Sequence, residues 1–293
     1  MEVFLPRTLD EALELKAAHP EALPIAGGTD VMVDLNFDRR RPEAIIDVSR
    51  LDELLRWGRE DGAFFLGAGV TYSRIMLELS QFVALAQASR TVGSPQIRNR
   101  GTVGGNLGTA SPAGDALPVL AAYEAEIVLV RAGGATRAVP WNEFHLGVKK
   151  TALAPGELIL GARWKAIRGP GSFSKIGTRN AMVISVAGLC LAVDEDGRSI
   201  RVALGSVAPT IVRAHAAEAL AARAMHDAGA WDDVAAPLPS EALQEFGRLV
   251  ADAARPIDDV RGSAAYRRHA CGVLARRALA WALDDRRAGR GAP

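Results

Sequence analysis

Cysteine is nearly absent from this 293-residue chain: there are two, Cys190 and Cys271, each in an apolar context (Gly-Leu-Cys-Leu-Ala and His-Ala-Cys-Gly-Val). Both read as buried, inert thiols. Two cannot supply the four thiolates that hold a 2Fe–2S cluster. Histidine is also scarce, and His19, His145, His215, His226 and His269 show neither zincin nor zinc-finger spacing. Any redox metal is therefore expected on another chain. An excess of one charge is missing too, with 35 Lys+Arg against 34 Asp+Glu and a formal net charge of +1. That leaves no electrostatic footprint for nucleic acid or for a membrane surface. No apolar run approaches the roughly 20 residues a membrane span needs. Met1–Pro6 lacks the charged and apolar regions of a signal peptide, so a cytoplasmic location is expected. There is no P-loop. Gly67-Ala68-Gly69-Val70-Thr71-Tyr72 opens like a Rossmann fingerprint but lacks its third glycine and the acidic residue that should follow. It reads as a strand-to-helix turn.

What the chain does have is glycine in pairs. Ala26-Gly27-Gly28-Thr29-Asp30 is one such segment. Thr102-Val103-Gly104-Gly105-Asn106 is the second, followed by Ser111-Pro112-Ala113-Gly114-Asp115. Paired glycines let backbone N–H groups approach an anion with no Cβ in the way, and successive N–H groups form a concave anion site. One segment can hold one phosphate. Two can grip a diphosphate from both sides, which points to a dinucleotide such as FAD. The alternative for the first segment is a plain turn between strands. In the second, Gly101, Gly104, Gly105 and Gly108 crowd together with Thr102, Asn106 and Thr109, and Pro95–Arg100 lacks the strand-like flank of a hairpin. The stretch Gly93–Asp115 shows almost no helical periodicity and is expected to be a long functional loop. Asp115 can accept from a ribose hydroxyl or an adenine amine, or it can cap a helix at Ala116–Ala122.

With 49% hydrophobic and 24% charged residues, the composition is that of a soluble globular protein, and its length predicts two or three compact units. Residues 1–55 read as an α/β lobe: a strand at Glu2–Leu5, a helix capped by Thr8 with Glu11 as capping-box partner, and strands at Leu23–Ala26 and Ala44–Val48. A second lobe, residues 56–168, has strands at Phe64–Leu66, Glu126–Arg131, Ala135–Val139 and Leu158–Trp164, with helices near Leu79 and at Phe82–Arg90. Gly169-Pro170-Gly171 marks a boundary. The last unit, residues 171–285, begins with strands at Ser185–Val193 and Ile200–Val207. It ends in a helix over Ser263–Leu283 whose apolar face is expected to carry Tyr266, Ala270, Val273, Leu274, Ala278 and Trp281. The opposite face would carry Arg267, Arg268, Arg276 and Arg277. Residues 286–293 read as a disordered tail.

The two glycine segments, the phrase Gly101–Asp115 and the C-terminal Tyr266-Arg267-Arg268-His269 helix together resemble the FAD-binding medium subunit of molybdenum hydroxylases. That family includes xanthine dehydrogenases, aerobic carbon monoxide dehydrogenases and 4-hydroxybenzoyl-CoA reductases. The resemblance covers about Val3 to Leu283. It implies an α+β fold: a two-lobed FAD-binding domain of the vanillyl-alcohol-oxidase (PCMH) type, then a small α+β C-terminal domain with a three-stranded sheet. By position, Ala26, Gly27, Gly28, Thr29, Asp30, Thr102, Gly104, Gly105 and Asn106 would hold the FAD pyrophosphate. Thr109, Ser111 and Asp115 would lie along the ribityl–adenosine part. Lys175 and Met182–Ser185, Ile184 among them, resemble the segment near the isoalloxazine edge. Gly147-Val148-Lys149-Lys150-Thr151 resembles a Gly-Tyr-Arg-Lys-Thr stretch of xanthine-dehydrogenase-type members. Its Val148 departs from the aromatic common there, and Lys149 and Lys150 read equally as a solvated pair.

The cysteine-poor composition disfavours the 4-hydroxybenzoyl-CoA reductase type, which carries an extra iron–sulfur loop in this subunit. No His or Cys falls in either glycine segment, so the flavin should be non-covalent. The resemblance implies an electron-transfer subunit in a heterotrimer that can dimerise, with an iron–sulfur small subunit and a molybdopterin large subunit. Electrons would arrive from a 2Fe–2S cluster and leave to NAD, oxygen or a quinone. The xanthine dehydrogenase type is the leading expectation. A carbon monoxide dehydrogenase-type medium subunit, a stand-alone flavin oxidase and a non-catalytic FAD-bound assembly module are the alternatives.

Overall fold

The computed structural model describes residues 1–290. Strand β1 (Glu2–Phe4) leads into helix α1 (Leu9–Ala18). Thr8 caps that helix by accepting from the Glu11 N–H at 3.2 Å, and the Glu11 carboxylate accepts in turn from the Arg7 N–H at 2.7 Å. The capping box therefore closes one residue upstream of the cap. Next come β2 (Leu23–Ile25), α2 (Val31–Asn36) and β3 (Ala44–Asp47), and β1 and β2 flank β3 in a parallel sheet. A hairpin of β4 (Trp57–Glu60) and β5 (Ala63–Gly67) turns on Asp61 and Gly62, with φ of 50° and 79°. Two positive φ values in a two-residue turn match the strand twist.

Five helices follow: α3 (Tyr72–Glu78), α4 (Val83–Thr91), α5 (Pro95–Arg100), α6 (Val103–Thr109) and α7 (Ala116–Ala122). Here the expected long loop is replaced by α5 and α6. Each has a cap that periodicity alone does not reveal. Ser94 accepts from the Ile97 N–H with Pro95 at the first helical position, and Thr102 accepts from the Gly105 N–H. The chain continues through β6 (Glu126–Val130), β7 (Thr136–Pro140), α8 (Trp141–Phe144), β8 (His145–Gly147), β9 (Lys150–Thr151) and β10 (Leu158–Trp164). It ends with β11 (Gly171–Ile176), β12 (Ala187–Asp194), β13 (Ser199–Gly205), β14 (Val212–Arg213), α9 (His215–Asp227), α10 (Ser240–Ala253) and α11 (Ala264–Arg287).

Packing divides these elements into two compact units. The first comprises Met1–Ile75, Ser94–Ser111 and Glu124–Lys165. It holds the parallel sheet and a five-stranded antiparallel sheet in the order β4-β5-β10-β6-β7. Leu13, Ile46, Leu51, Phe65 and Leu158 are part of its core. Phe64 and Trp164 face each other across the β5–β10 ladder with ring centroids 5.2 Å apart, an aromatic cross-strand pair.

The second unit takes Met76–Gly93, Pro112–Tyr123 and the chain from Ala166 onward. Its antiparallel sheet runs β11-β12-β13-β14, so the two-residue β14 adds a fourth strand to the expected three. Leu189, Leu191 and Val193 alternate along β12 and join Phe246, Val250 and Leu274 in one core, the period-2 pattern of a sheet face covered by helices. On α11 the buried stripe is rotated from the expected one. Tyr266 and Trp281 are each 48% exposed, while Arg267 is 2% exposed. Burial at 267, 270, 271, 274, 275, 278 and 279 follows the helical period with Arg267 on the inner face. The helix also runs on to Arg287, with Arg286 buried and paired to Glu195 at 2.6 Å, where a tail was expected from Arg286. Residues 291–293 of that tail lie outside the described residues.

Cys190 and Cys271 are both buried, as expected. Burial pushes both thiols up, Cys271 to about 12, so neither carries thiolate at neutral pH. Iodoacetamide should leave the native chain unmodified at neutral pH and add two carbamidomethyl groups once it is denatured. Intact mass before and after denaturation reads this directly, and a modified native chain would contradict the burial.

Candidate functional site

The first glycine segment follows β2 and ends at α2. Gly28 has φ +74°, a conformation open to glycine at little cost. Gly27 has a different reason to be glycine: a Cβ there would lie 1.8 Å from the Arg100 carbonyl oxygen. The segment therefore packs backbone to backbone on the junction between α5 and α6. A hydrogen bond from the Thr109 hydroxyl to the Asp30 carboxylate, at 3.1 Å, ties it to the far end of α6. Two segments about seventy-five residues apart in sequence are thus one assembly.

Their donors are not alike. The amides of Gly27, Gly28, Thr29 and Asp30 have no acceptor among the described residues. In the second segment the amides of Val103 to Asn106 are used within the protein. Val103 donates to Val70 O, Gly104 to Ala68 O, Gly105 to the Thr102 hydroxyl and Asn106 to Thr102 O. Only the Asn106 bond is helical; the three amides before it, which the helix itself leaves open, are taken by the Val70 and Ala68 carbonyls and the Thr102 cap. Gly104 is glycine for packing, because a Cβ would sit 2.5 Å from the Ala68 Cβ. Gly105 and Gly108 are exposed, and a Cβ would meet only the Thr102 hydroxyl at 3.2 Å or Ile159 at 3.6 Å. Gly105 is not at positive φ. What α6 offers is a bare face of two glycines beside the Asn106 side chain, whose Oδ1 is buried without a partner. Beneath it His145 Nε2 donates to Leu107 O at 3.1 Å, and burial holds this imidazole below its usual pKa. Lys149, at φ +56°, donates its N–H to Ala110 O and reaches Asp34 at 3.5 Å, while Lys150 is exposed.

Ser111 closes the first unit, and Asp115, Lys175 and Ile184 belong to the second. There Asp115 makes no side-chain cap on α7. It pairs instead with Lys175, Nζ to Oδ2 at 2.6 Å, and both side chains are under 10% exposed. Thr91, which sequence reasoning passed over, contacts both: its carbonyl accepts from Lys175 at 3.1 Å and its hydroxyl lies 3.1 Å from Asp115 Oδ2. Nothing in the local sequence of α4 marks it. Ile184 is 63% exposed, next to the buried Ser185.

Four adjacent free amides, a hydroxyl at Thr29 and a glycine face with room for a ligand suit the diphosphate of a dinucleotide, and the orphaned Asn106 Oδ1, an acceptor, suits a hydroxyl or amine of the same ligand. The Asp30 carboxylate is an unfavourable neighbour for an anion, and the Thr109 hydroxyl donates to one of its oxygens. The family described as FAD binding domain in molybdopterin dehydrogenase matches residues 1–163. The chain belongs to that family. The CO dehydrogenase flavoprotein C-terminal domain matches residues 172–282 of this FAD-binding subunit. It is 35% identical over 212 residues to the nicotinate dehydrogenase FAD-subunit of Eubacterium barkeri, covering 68% of this chain and 70% of the relative. It is 29% identical to the xanthine dehydrogenase FAD-binding subunit of Escherichia coli, covering 94% of each. A solved carbon monoxide dehydrogenase from Hydrogenophaga pseudoflava superposes with a TM-score of 0.84 at 29% identity over 96% of each chain. The protein is an FAD-carrying oxidoreductase component of the molybdenum hydroxylase family. No helix among its described residues is long and apolar enough to cross a membrane.

Proposed function

We propose that this flavoprotein subunit serves a cytoplasmic, xanthine-dehydrogenase-like molybdenum hydroxylase. An iron–sulfur small subunit and a molybdopterin large subunit would be its partners, and NAD its final acceptor. The observation that carries the cofactor assignment is the run of four free amides at Gly27–Asp30, held by the Asp30–Thr109 bond against the glycine face of α6. The segments Gly27–Asp30 and Gly104–Asn106 would hold the pyrophosphate, the first through its amides and the second through the bare face of Gly105 beside Asn106. Thr109, Ser111 and Asp115 would serve the ribityl–adenosine part, and Ile184 the isoalloxazine edge. FAD supplies one-electron and two-electron redox chemistry when bound. The protein's share is binding and orientation, which needs no acid or base of its own. We place the FAD-binding domain at residues 1–168 and the C-terminal domain at 171–285. A second reading, a carbon monoxide dehydrogenase-type medium subunit, is supported by the likeness to the Hydrogenophaga pseudoflava enzyme.

Anaerobic addition of NADH to the purified FAD-loaded chain tests the acceptor. Bleaching of the flavin supports NAD. A flavin that stays oxidised removes NAD and favours the second reading. Rapid bleaching by an organic substrate without partners would make the chain a stand-alone oxidase.

The cofactor face has its own test in Gly105→Val. The Cβ meets only the Thr102 hydroxyl, at 3.2 Å, which has to give by a few tenths of an ångström, so the chain should still fold with a small loss in melting temperature, whereas FAD should bind about tenfold more weakly or worse, a loss of about 1.4 kcal/mol or more. Equilibrium dialysis with FAD measures this. Unchanged affinity would mean that the α6 face does not meet the cofactor.

A further inference from the structure

We infer that Lys175 is a positioning residue: it holds the Asp115 carboxylate so that the second carboxylate oxygen is presented to a hydroxyl of bound FAD, without touching the cofactor itself. The inference rests on the FAD reading above and concerns residues of one compact unit. The Lys175 side chain is 7% exposed, and its Nζ donates to Asp115 Oδ2 at 2.6 Å and to Thr91 O at 3.1 Å. An ammonium so engaged has turned inward. The Thr91 hydroxyl lies 2.8 Å from Ala88 O and 3.1 Å from Asp115 Oδ2. It has one proton for two acceptors, so Lys175 is the full donor to Oδ2. Asp115 Oδ1 is buried and has no partner in the protein.

The carboxylate is fixed from below as well. Asp115 opens α7, and that helix lies directly on β13: a Cβ on Gly205 would come within 2.8 Å of Pro118 Cγ. Gly205 stands opposite Gly188 in the β12–β13 ladder, and Gly188 stands opposite Lys175 in the β11–β12 ladder. The same row of the sheet thus seats α7 and carries the lysine that meets its first residue. Burial pushes the Asp115 carboxyl up and Lys175 opposes it. An ionised carboxylate with one buried oxygen unpaired is costly unless a donor completes it, and a hydroxyl supplies a single well-directed O–H.

The test is a set of FAD titrations of the apoprotein, followed by quenching of flavin fluorescence, for wild type, Asp115→Asn, Lys175→Met, the double variant and Lys175→Arg. Each of the first two single variants should weaken FAD binding about tenfold. The double variant should lose no more than Asp115→Asn alone, because a residue acting through another gives a non-additive pair. Lys175→Arg keeps the charge and should stay within about threefold of wild type. Titrating FMN by the same fluorescence, and ADP-ribose by isothermal calorimetry, assigns the hydroxyl to the ribityl chain or the ribose, since the loss should appear with one of them. A loss with neither, multiplicative losses in the double variant, or an unchanged affinity in Lys175→Met would each overturn the inference. If Asp115→Asn does not fold, equal losses in Lys175→Met and Lys175→Arg, both with native circular dichroism, overturn it as well. A wild-type apoprotein that binds no FAD would overturn the cofactor reading instead.

Discussion

Gly27→Val should cost the subunit both its FAD and part of its fold. An ideal Cβ at Gly27 would lie 1.8 Å from Arg100 O, 2.4 Å from Arg100 C and 2.9 Å from Gly101 N. All three are backbone atoms, so no side-chain rotation relieves the clash. The opposing backbone is also pinned. Gly101 donates its N–H to Ile97 O at 2.6 Å, and its carbonyl accepts from the Tyr72 N–H at 3.1 Å. Either the Gly27–Asp30 segment lifts away from the α5–α6 junction, or α5 loses its last turn. Forced overpacking of this kind costs about 1–3 kcal/mol or more. In a chain of this size that lowers the melting temperature by several degrees, at about 2–4 °C per kcal/mol. Lifting the segment also breaks the Asp30–Thr109 bond and disperses the four free amides. The expected result is a destabilised chain that emerges from gel filtration without flavin. The flavin-to-protein absorbance ratio and a thermal melt measure the two effects, and full flavin content at wild-type stability would remove this junction from the cofactor site.

The glycines show how much of the site was legible in the sequence, and where the reading stopped. Paired glycines correctly marked the two segments that meet. Composition could not separate a glycine kept for a ligand from one kept for a neighbouring backbone. Gly27 and Gly104 are needed because Arg100 and Ala68 are close; Gly105 and Gly108 leave a face bare. Helix α6 was hidden because four of the nine residues Gly101–Thr109 are glycine, which has low helix propensity, and α5 because Pro95–Arg100 is too short and polar to show a hydrophobic period. The caps at Ser94 and Thr102 and the packing of Val103, Gly104 and Leu107 override that preference. The strands β5, β6, β7, β10, β12 and β13 were legible from alternation and from turn residues, since burial on one or both faces imposes the pattern directly. The Lys175–Asp115 pair was not, because it joins residues sixty positions apart through a helix-on-sheet contact that leaves no local periodicity.

Arg267 was misread for a related reason, and its removal should have the largest effect on stability. An arginine on a helix beside Arg268 looks solvated, yet this guanidinium donates to Val186 O and Ser206 O at 2.9 Å each and to Gly262 O at 3.4 Å, and pairs with Asp259 at 2.5 Å. Ser206 has φ +65°, so the bond to its carbonyl also secures a turn that an L-residue adopts reluctantly. Arg267→Met preserves much of the volume but leaves buried carbonyls without donors. Deleting one partner of a buried charged network costs about 3–5 kcal/mol, and urea unfolding should show a loss of that order. Lys cannot span four acceptors in different directions, so Arg267→Lys should recover only part of it. The effect has a pH signature. Arg261, first, and Arg267 hold the Asp259 carboxyl well below the usual carboxylate range. A carboxyl with a lowered folded pKa contributes fully above its unfolded pKa of about 3.9, and that contribution fades as the pH falls further. The gap between wild type and Arg267→Met should therefore begin to narrow below about pH 4. A loss under about 1 kcal/mol at neutral pH, where surface substitutions fall, would mean that water replaces the guanidinium at Val186 and Ser206.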